Sequence, residues 1–376
     1  MAMFRTKATP LSTPVTRLNV VPDPPASTVI SSALETLYRL FDGEIIEPGD
    51  AEYESASRTV LSSGSPAYVL RPEHGEDVQA AVCFAADAGL VLSVRGGGHS
   101  FAGFGTNDDG VVIDLSKLTT IEIIDDKRHL VWIGGGATWG QVTTALEPHG
   151  LAISAGDTRS VGVGGLTLSG GIGWKVRQYG LALDNLVAAE VVTATGAVVR
   201  ASAEENPELF WALRGGGGNV GIVTAFTFAA HPTTAVYFGK IAFPATEAAT
   251  VLQGWAAYLR TAPDEITSSA EFANPFAGGP NAPVEITVLF NGDDPARAAQ
   301  VIDPIRRLGT VIADHVALIP YEETLVDGMT PPPGFQIATR SAFVDADPAP
   351  AVLQMLVEAG AAERPPFIAI RSGGGA

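Results

Sequence analysis

The chain has 376 residues, of which 46% are apolar and 17% charged, with 42 glycines and a single cysteine. That length is more than one hydrophobic core usually takes and favours two lobes, while the composition leaves little for long disordered tails. Forty-one acidic against 23 basic residues give a formal charge of −18, which repels a phosphate backbone; with no basic patch to override it, a nucleic-acid partner is excluded, and the acidity is a solvated surface rather than a guide to substrate.

The opening stretch, MAMFRTKATPLSTPVTRLNVVPDPPAS, has scattered prolines and charges and no apolar run of signal-peptide length. Residues 1–31 are therefore expected to form an extension, and the protein is expected to be cytoplasmic. Leu34, Leu37, Leu40 and Phe41 have helical spacing, and residues 68–70 suit a short strand ending at Pro72. Over 76–88 a helix is predicted with Val78, Ala81, Val82 and Ala85 on one face, Cys83 as buried filler within it, and Gly89 as its stop. The apolar run 90–94 then leads as a strand straight into RGGGHS.

Further strands are predicted at 111–115 and 130–133, a helix at 139–146, and a long glycine-rich stretch over 156–173. Two β-rich runs, 188–194 and 197–201, flank Thr195-Gly196 and suggest a hairpin. After IVTAFTF the glycine clusters largely end, and helices at 247–260, 295–308 and 351–359 accompany a strand at 284–290. This pattern predicts an α+β protein of two lobes, 32–235 and 236–376, the second an antiparallel sheet with helices on one face. There is no internal repeat and no apolar run long enough to span a membrane.

In VRGGGHS, three glycines after a buried strand leave backbone N–H groups free to converge on a pyrophosphate. For the glycines alone, a nucleotide cradle and an ordinary tight turn are equally good readings. His99 adds chemistry: a lone histidine is more often structural, but a neutral ring nitrogen at the end of such a loop is a competent nucleophile. A second cluster, GVGGLTLSGGIGW at 162–174, and a third, RGGGGNVG at 214–221, suit a large planar ligand. The third contains a formal G-x-G-x-x-G at Gly216, Gly218 and Gly221, but a helical run precedes it and a β-rich run follows, the inverse of the Rossmann context. His74, His99, His129, His149, His231 and His315 show no close paired spacing, so no metal site is expected, and one cysteine excludes a disulfide framework.

Five segments in order, DGEIIEPGDAEYESASRTV, VRGGGHSFAGFG, VVIDLSKL, VGVGGLTLSGGIGWKVRQYGLALDNL and PELFWALRGGGGNVGIVTAFTF, resemble the berberine bridge enzyme-like oxidases of the vanillyl-alcohol oxidase flavoprotein superfamily. The resemblance spans most of the chain. It implies a PCMH-type FAD-binding lobe and a second lobe that covers the flavin and shapes the substrate pocket. It places Gly96, Gly97 and Gly98 at the diphosphate, flanked by Arg95 and Ser100, and bonds His99 to the flavin 8α-methyl. Further cofactor contacts fall to Thr158, Val161, Gly162, Gly164, Gly165, Leu168, Gly171 and Gly173, and to Gly221, Ile222 and Val223. Some relatives add a second bond from a cysteine to flavin C6; Thr158 holds that place here, which leaves a single link through His99. Val161 stands where the family has a residue gating oxygen access, and its small size implies an oxidase that uses O2.

The family pattern continues beyond FIAIRSGGGA with a stretch that supplies a catalytic tyrosine, and the general base is left open because the chain's last residue is Ala376. Tyr321, in LIPYEE, is the remaining candidate, more often structural at such a position. The expected function is oxidation of a small alcohol, sugar or secondary metabolite by hydride transfer to FAD, with O2 as acceptor. A flavin-binding protein without efficient turnover and, on the stray fingerprint alone, a nicotinamide-dependent dehydrogenase stay open as alternatives.

Overall fold

The computed structural model describes residues 26–233, 235–272, 279–328, 338–344 and 350–376. Its first sheet has four strands in the order Glu44–Ile46, Tyr68–Arg71, Val111–Asp114 and Leu92–Arg95, the first pair antiparallel and the others parallel. Helices Ala26–Leu40 and Gly75–Ala88 cover it, burying Leu37, Val78 and Ala81 against Leu70, Val111 and Ile113. The Asp77 carboxylate accepts from the backbone N–H of Glu73 and His74, which fixes the start of the second helix. Gly89, at φ 65°, ends it, and Leu90 is drawn into the cap by donating to the Ala85 carbonyl. The strand consequently starts at Leu92 rather than at residue 90.

One expectation on this helix is overturned: Cys83 is exposed. Val78, Ala81, Val82 and Ala85 do face the core, and at 100° per residue position 83 turns away from them.

A second, antiparallel sheet of five strands follows, in the order Ile121–Asp125, Leu130–Gly134, Ile222–Ala229, Leu186–Val192 and Val198–Ser202. The last two form the hairpin expected around Thr195-Gly196, with Gly196 at φ 78°. Trp139 and Leu213 join Phe226 and Phe228 of the strand Ile222–Ala229 in its core.

The third sheet is antiparallel and runs Ala313–Asp314, Val236–Phe243, Val284–Phe290, Ile266–Phe272, Ile368–Arg371, with Ala317–Ile319 also paired to Val236–Phe243. Helices Ala248–Leu259, Pro295–Arg306 and Pro350–Gly360 lie on one face of it, burying Ile241, Phe243, Ile286 and Val288 against Val251, Trp255, Val301 and Ile305. The two-lobed α+β architecture is thus as expected. The other sheet face turns toward the first lobe, where Val236, Phe238 and Leu289 join that lobe's core.

Candidate functional site

The strand Leu92–Arg95 delivers the chain into the first glycine loop, and Arg95 fixes the point of delivery. Its buried guanidinium donates to Asp114 at 2.9 Å and to the carbonyls of Ala56 at 2.7 Å and Arg58 at 2.9 Å. Arg95 is thereby held by three protein acceptors, one of them a carboxylate, and shapes the loop. Gly98 takes a φ of 70°, which needs glycine, and its carbonyl accepts from Val60 N–H. A Cβ on Gly97 would lie 2.3 Å from the Gly162 nitrogen and 2.6 Å from the Ser160 carbonyl oxygen, so the two glycine loops meet backbone to backbone.

Among the described residues, the backbone N–H groups of Gly96, Gly97, Gly98 and His99 meet no acceptor. Gly96, Gly97 and Gly98 border a cavity of about 290 Å³ lined also by Arg58, Thr59, Arg71 and the Arg95–Asp114 pair, and His99 follows them just outside it. This is the small end of the range for ligand cavities, about 300–1,000 Å³. It suits the diphosphate portion of a dinucleotide, with unpaired donors and glycine surfaces that admit close approach. On that observation the residues present fit FAD.

His99 follows, half-buried, with its Nε2 2.9 Å from Ser160 Oγ. Burial pushes its pKa below the ordinary imidazole value, which favours the neutral ring. Behind Ser160 stands Gly328, where a Cβ would come within 2.4 Å of the hydroxyl and 3.4 Å of His99 Cε1. A strap at 321–328 holds this second loop: Arg159 N–H donates to Val326 O, Val326 N–H to Asp157 O, and the Arg159 guanidinium to Glu322. Thr158 pairs with Val326 in the same strap, and half-buried Val161 packs against the first-lobe core.

The other glycines divide. Gly162 meets the first loop, and Gly164 lies over the Gly135 carbonyl; Gly165 faces open space. Gly171, at φ 85°, and Gly173 turn the chain within the lobe, a Cβ on Gly173 colliding with the Ala155 carbonyl. Leu168, Ile222 and Val223 are buried, while Ser100 is half-buried and receives Gly103 N–H. Gly221, at φ 150°, packs on Val191 where the strand Ile222–Ala229 begins, and the helix Pro207–Leu213 precedes this cluster, so the inverted context is real.

Sequence reading passed over Gly135, which contacts Gly164 and the strand carbonyls of Val223 and Thr224 and lies under Gly96. Three consecutive glycines after a strand, at 134–136, repeat the signal of the first loop and could have marked it. Ser160 was passed over too, and nothing in the sequence singles it out.

Facing these loops is the helix-free side of the third sheet. Strand register places Lys240, Thr287, Ser269 and Arg371 in one row across four strands, with Glu285 and Glu271 in the next. Lys240 bridges both carboxylates, at 2.7 and 3.4 Å. Ser269 Oγ is buried without a partner. Arg371 ion-pairs with Asp157 and lies over the Trp174 ring at 4.6 Å.

Tyr321 does not open onto this row. Its ring is in the first-lobe core and its hydroxyl is buried and unpartnered, which raises the phenol's pKa well above its ordinary value. Lys175 Nζ sits 4.5 Å from the ring centroid and donates to Thr233 Oγ1 and Asn291 Oδ1, each at 2.7 Å. With no carboxylate beside it, burial pushes this lysine down to about 7.

Among the described residues, no group of three or more His, Cys, Asp or Glu is placed to hold a metal ion, and no helix is long and apolar enough to cross a membrane.

Residues 66–202 match the FAD binding domain family. Over 199 residues the chain is 42% identical to a xylooligosaccharide oxidase of Thermothelomyces thermophilus, covering 51% of this chain and 39% of that protein. It is 41% identical over 199 residues to an (R)-6-hydroxynicotine oxidase of Paenarthrobacter nicotinovorans, covering 52% and 43%. The chain thus spans about four-tenths of the length of these curated relatives. Among solved structures, 6-hydroxy-D-nicotine oxidase from Arthrobacter nicotinovorans superposes with a TM-score of 0.70 at 33% identity, over 76% of this chain and 63% of that one. The fold also matches a Physcomitrella patens BBE-like 1 protein, TM-score 0.78 at 22% identity, over 91% and 77%.

Proposed function

We propose that this chain, whose residues 66–202 match the FAD binding domain family, is a berberine bridge enzyme-like oxidoreductase that oxidises a hydroxylated or amine-bearing small molecule using FAD held covalently through His99. One observation carries this reading: the loops 96–99 and 158–162 meet backbone to backbone around a half-buried neutral histidine, beside a cavity bordered by unpaired N–H groups.

Bound FAD would supply hydride acceptance and electron transfer to O2. Gly96, Gly97 and Gly98 would hold its diphosphate, and Arg95 keeps their strand end in place through Asp114 and the Ala56 and Arg58 carbonyls. His99 would anchor the ring system. Val161, one residue from Ser160, would limit what reaches the flavin, its short side chain leaving room for O2. Lys240 and Arg371, partly exposed, with Thr287 and Ser269 buried between them in one register row, would form the substrate floor. A family relative acts on xylooligosaccharide and another on 6-hydroxynicotine, by their names, and the polar floor favours the hydroxyl-rich class here.

The test is direct. The purified protein is precipitated with acid and washed; yellow colour staying with the polypeptide supports a covalent flavin, and colourless polypeptide from a yellow solution removes the His99 link. Anaerobic bleaching of the flavin by oligosaccharides, compared with hydroxylated N-heterocycles, then ranks the substrate classes.

A further inference from the structure

We infer that Ser160 is the positioning residue that makes His99 a nucleophile, by engaging Nε2 so that Nδ1 is the nitrogen presented for the flavin bond. This rests on the reading of His99 as the point of attachment.

A neutral imidazole carries one N–H and one lone pair, and the hydrogen bond at one nitrogen sets the state of the other. Ser160 Oγ is 2.9 Å from Nε2. No charged group is needed to keep the ring neutral, since burial already lowers its pKa. With Nε2–H donating to the hydroxyl, the free lone pair is on Nδ1. Ser160 is itself held from behind: the absent side chain of Gly328 leaves the space that the hydroxyl occupies, 2.4 Å from where a Cβ would be. Gly328 belongs to the strap that pairs with Asp157 and Arg159. The chain between the third-sheet strands Ala317–Ile319 and Ile368–Arg371 thus reaches back to set the geometry of a residue in the first lobe.

The bond-forming step balances as follows. The methyl C–H and the Nε2–H bonds break and one Nδ1–C bond to the 8α carbon forms; both protons are released to solvent, that of Nε2 through Ser160. The two electrons would be left with the flavin, and dioxygen with two solvent protons takes them off as hydrogen peroxide.

The experiment uses protein produced under riboflavin limitation, then incubated with FAD. Two quantities are followed: FAD affinity by fluorescence quenching, and flavin retained on acid-precipitated polypeptide against time. For Ser160→Ala, affinity before linkage should be unchanged and linkage at least about ten-fold slower, equivalent to ~1.4 kcal/mol in the barrier. Ser160→Thr, which restores the hydroxyl, should recover the rate. Gly328→Ala, which leaves residue 160 intact but crowds its hydroxyl, should slow linkage as Ser160→Ala does. Digestion of the wild type and NMR of the flavinyl peptide should give the Nδ1 isomer. Linkage by Ser160→Ala at the wild-type rate, or an Nε2 isomer in the wild type, overturns the role of Ser160. A wild type that binds FAD tightly yet never links it overturns instead the attachment through His99.

Discussion

Arg371, on the strand closing one edge of the third sheet, ion-pairs with Asp157 of the second glycine loop, 214 positions earlier in the chain. It is stacked on Trp174 as well, so one side chain ties the sheet edge to two parts of the first lobe. The pair is partly exposed, so its direct contribution to stability is small, about 0.2–1 kcal/mol. Its consequence lies in local order. Arg371→Ala should leave the melting temperature within a few degrees of wild type but speed hydrogen exchange at the Arg159 and Val326 amides, which bond across the strap, by roughly five-fold. Unchanged exchange at those amides would mean the strap is held by Arg159 and Glu322 alone.

Lys175 gives a pH signature. Its folded pKa is pushed down to about 7 from 10.5 by burial. Below pH 7 the lysine is charged in both states and the full burial cost is present. Between 7 and 10.5 the unfolded chain binds more protons, so this residue's contribution to stability rises with pH. Lys175→Met removes the titration. Relative to that variant, the wild type should gain on the order of 2 kcal/mol between pH 7 and 9, read from paired denaturant titrations. Parallel pH profiles would show that hydrogen bonds to Thr233 and Asn291 and the Tyr321 face keep the ammonium charged.

The glycines allow a paired test of the cradle. Gly97→Ala drives a Cβ against backbone atoms of Gly162 and Ser160, which cannot swing aside, and the protein should purify without flavin. Gly165→Ala meets no protein atom within 4 Å, so the flavin-free protein should melt as wild type does. If FAD binding weakens in that variant nonetheless, the added methyl occupies ligand space. Both variants retaining full flavin would place the cradle elsewhere.

Val161 calls for kinetics rather than stability. Val161→Leu adds one methylene at a half-buried position beside the core, a change costing about 1–3 kcal/mol at most. Reduction by substrate should be little altered, while reoxidation of the reduced flavin by O2, followed by stopped flow, should slow about ten-fold or more. Equal reoxidation rates would remove Val161 as a gate.

The glycine-rich loops were legible because the residue type itself is the signal: a φ of 70° at Gly98 or a carbonyl where Gly173 would carry a Cβ tolerates nothing else. The helices at 76–88 and 295–308 were legible from periodicity and caps. By contrast, the strand Ile266–Phe272, ITSSAEF, was not, because Thr267, Ser269 and Glu271 line the sheet face without helices while Ser268, bonded to Trp255, interrupts the apolar pattern on the other. The burial of Lys175 depends on partners 58 and 116 positions away, which local spacing does not encode. Ser160 matters only through His99 and Gly328, contacts that sequence spacing does not encode.

The unpartnered Ser269 hydroxyl separates a structural from a recognition role for the sheet floor. It lies between Thr287 and Arg371 in the register row, 2% exposed, with no hydrogen bond to protein. A buried hydroxyl lacking a partner costs about 1–3 kcal/mol, so Ser269→Ala should raise stability in the free protein. If substrate hydroxyls complete that hydrogen bond, the same change should raise KM several-fold while kcat stays near wild type, because binding is lost equally in ground and transition states. Stability and affinity would then move in opposite directions, an outcome that simple repacking does not produce. Lys240→Met should act differently: it leaves Glu271 and Glu285 facing each other without the ammonium between them, lowering stability and raising KM together. A Ser269→Ala protein that melts higher and keeps its KM would make Ser269 Oγ a packing defect and move the substrate floor off this row.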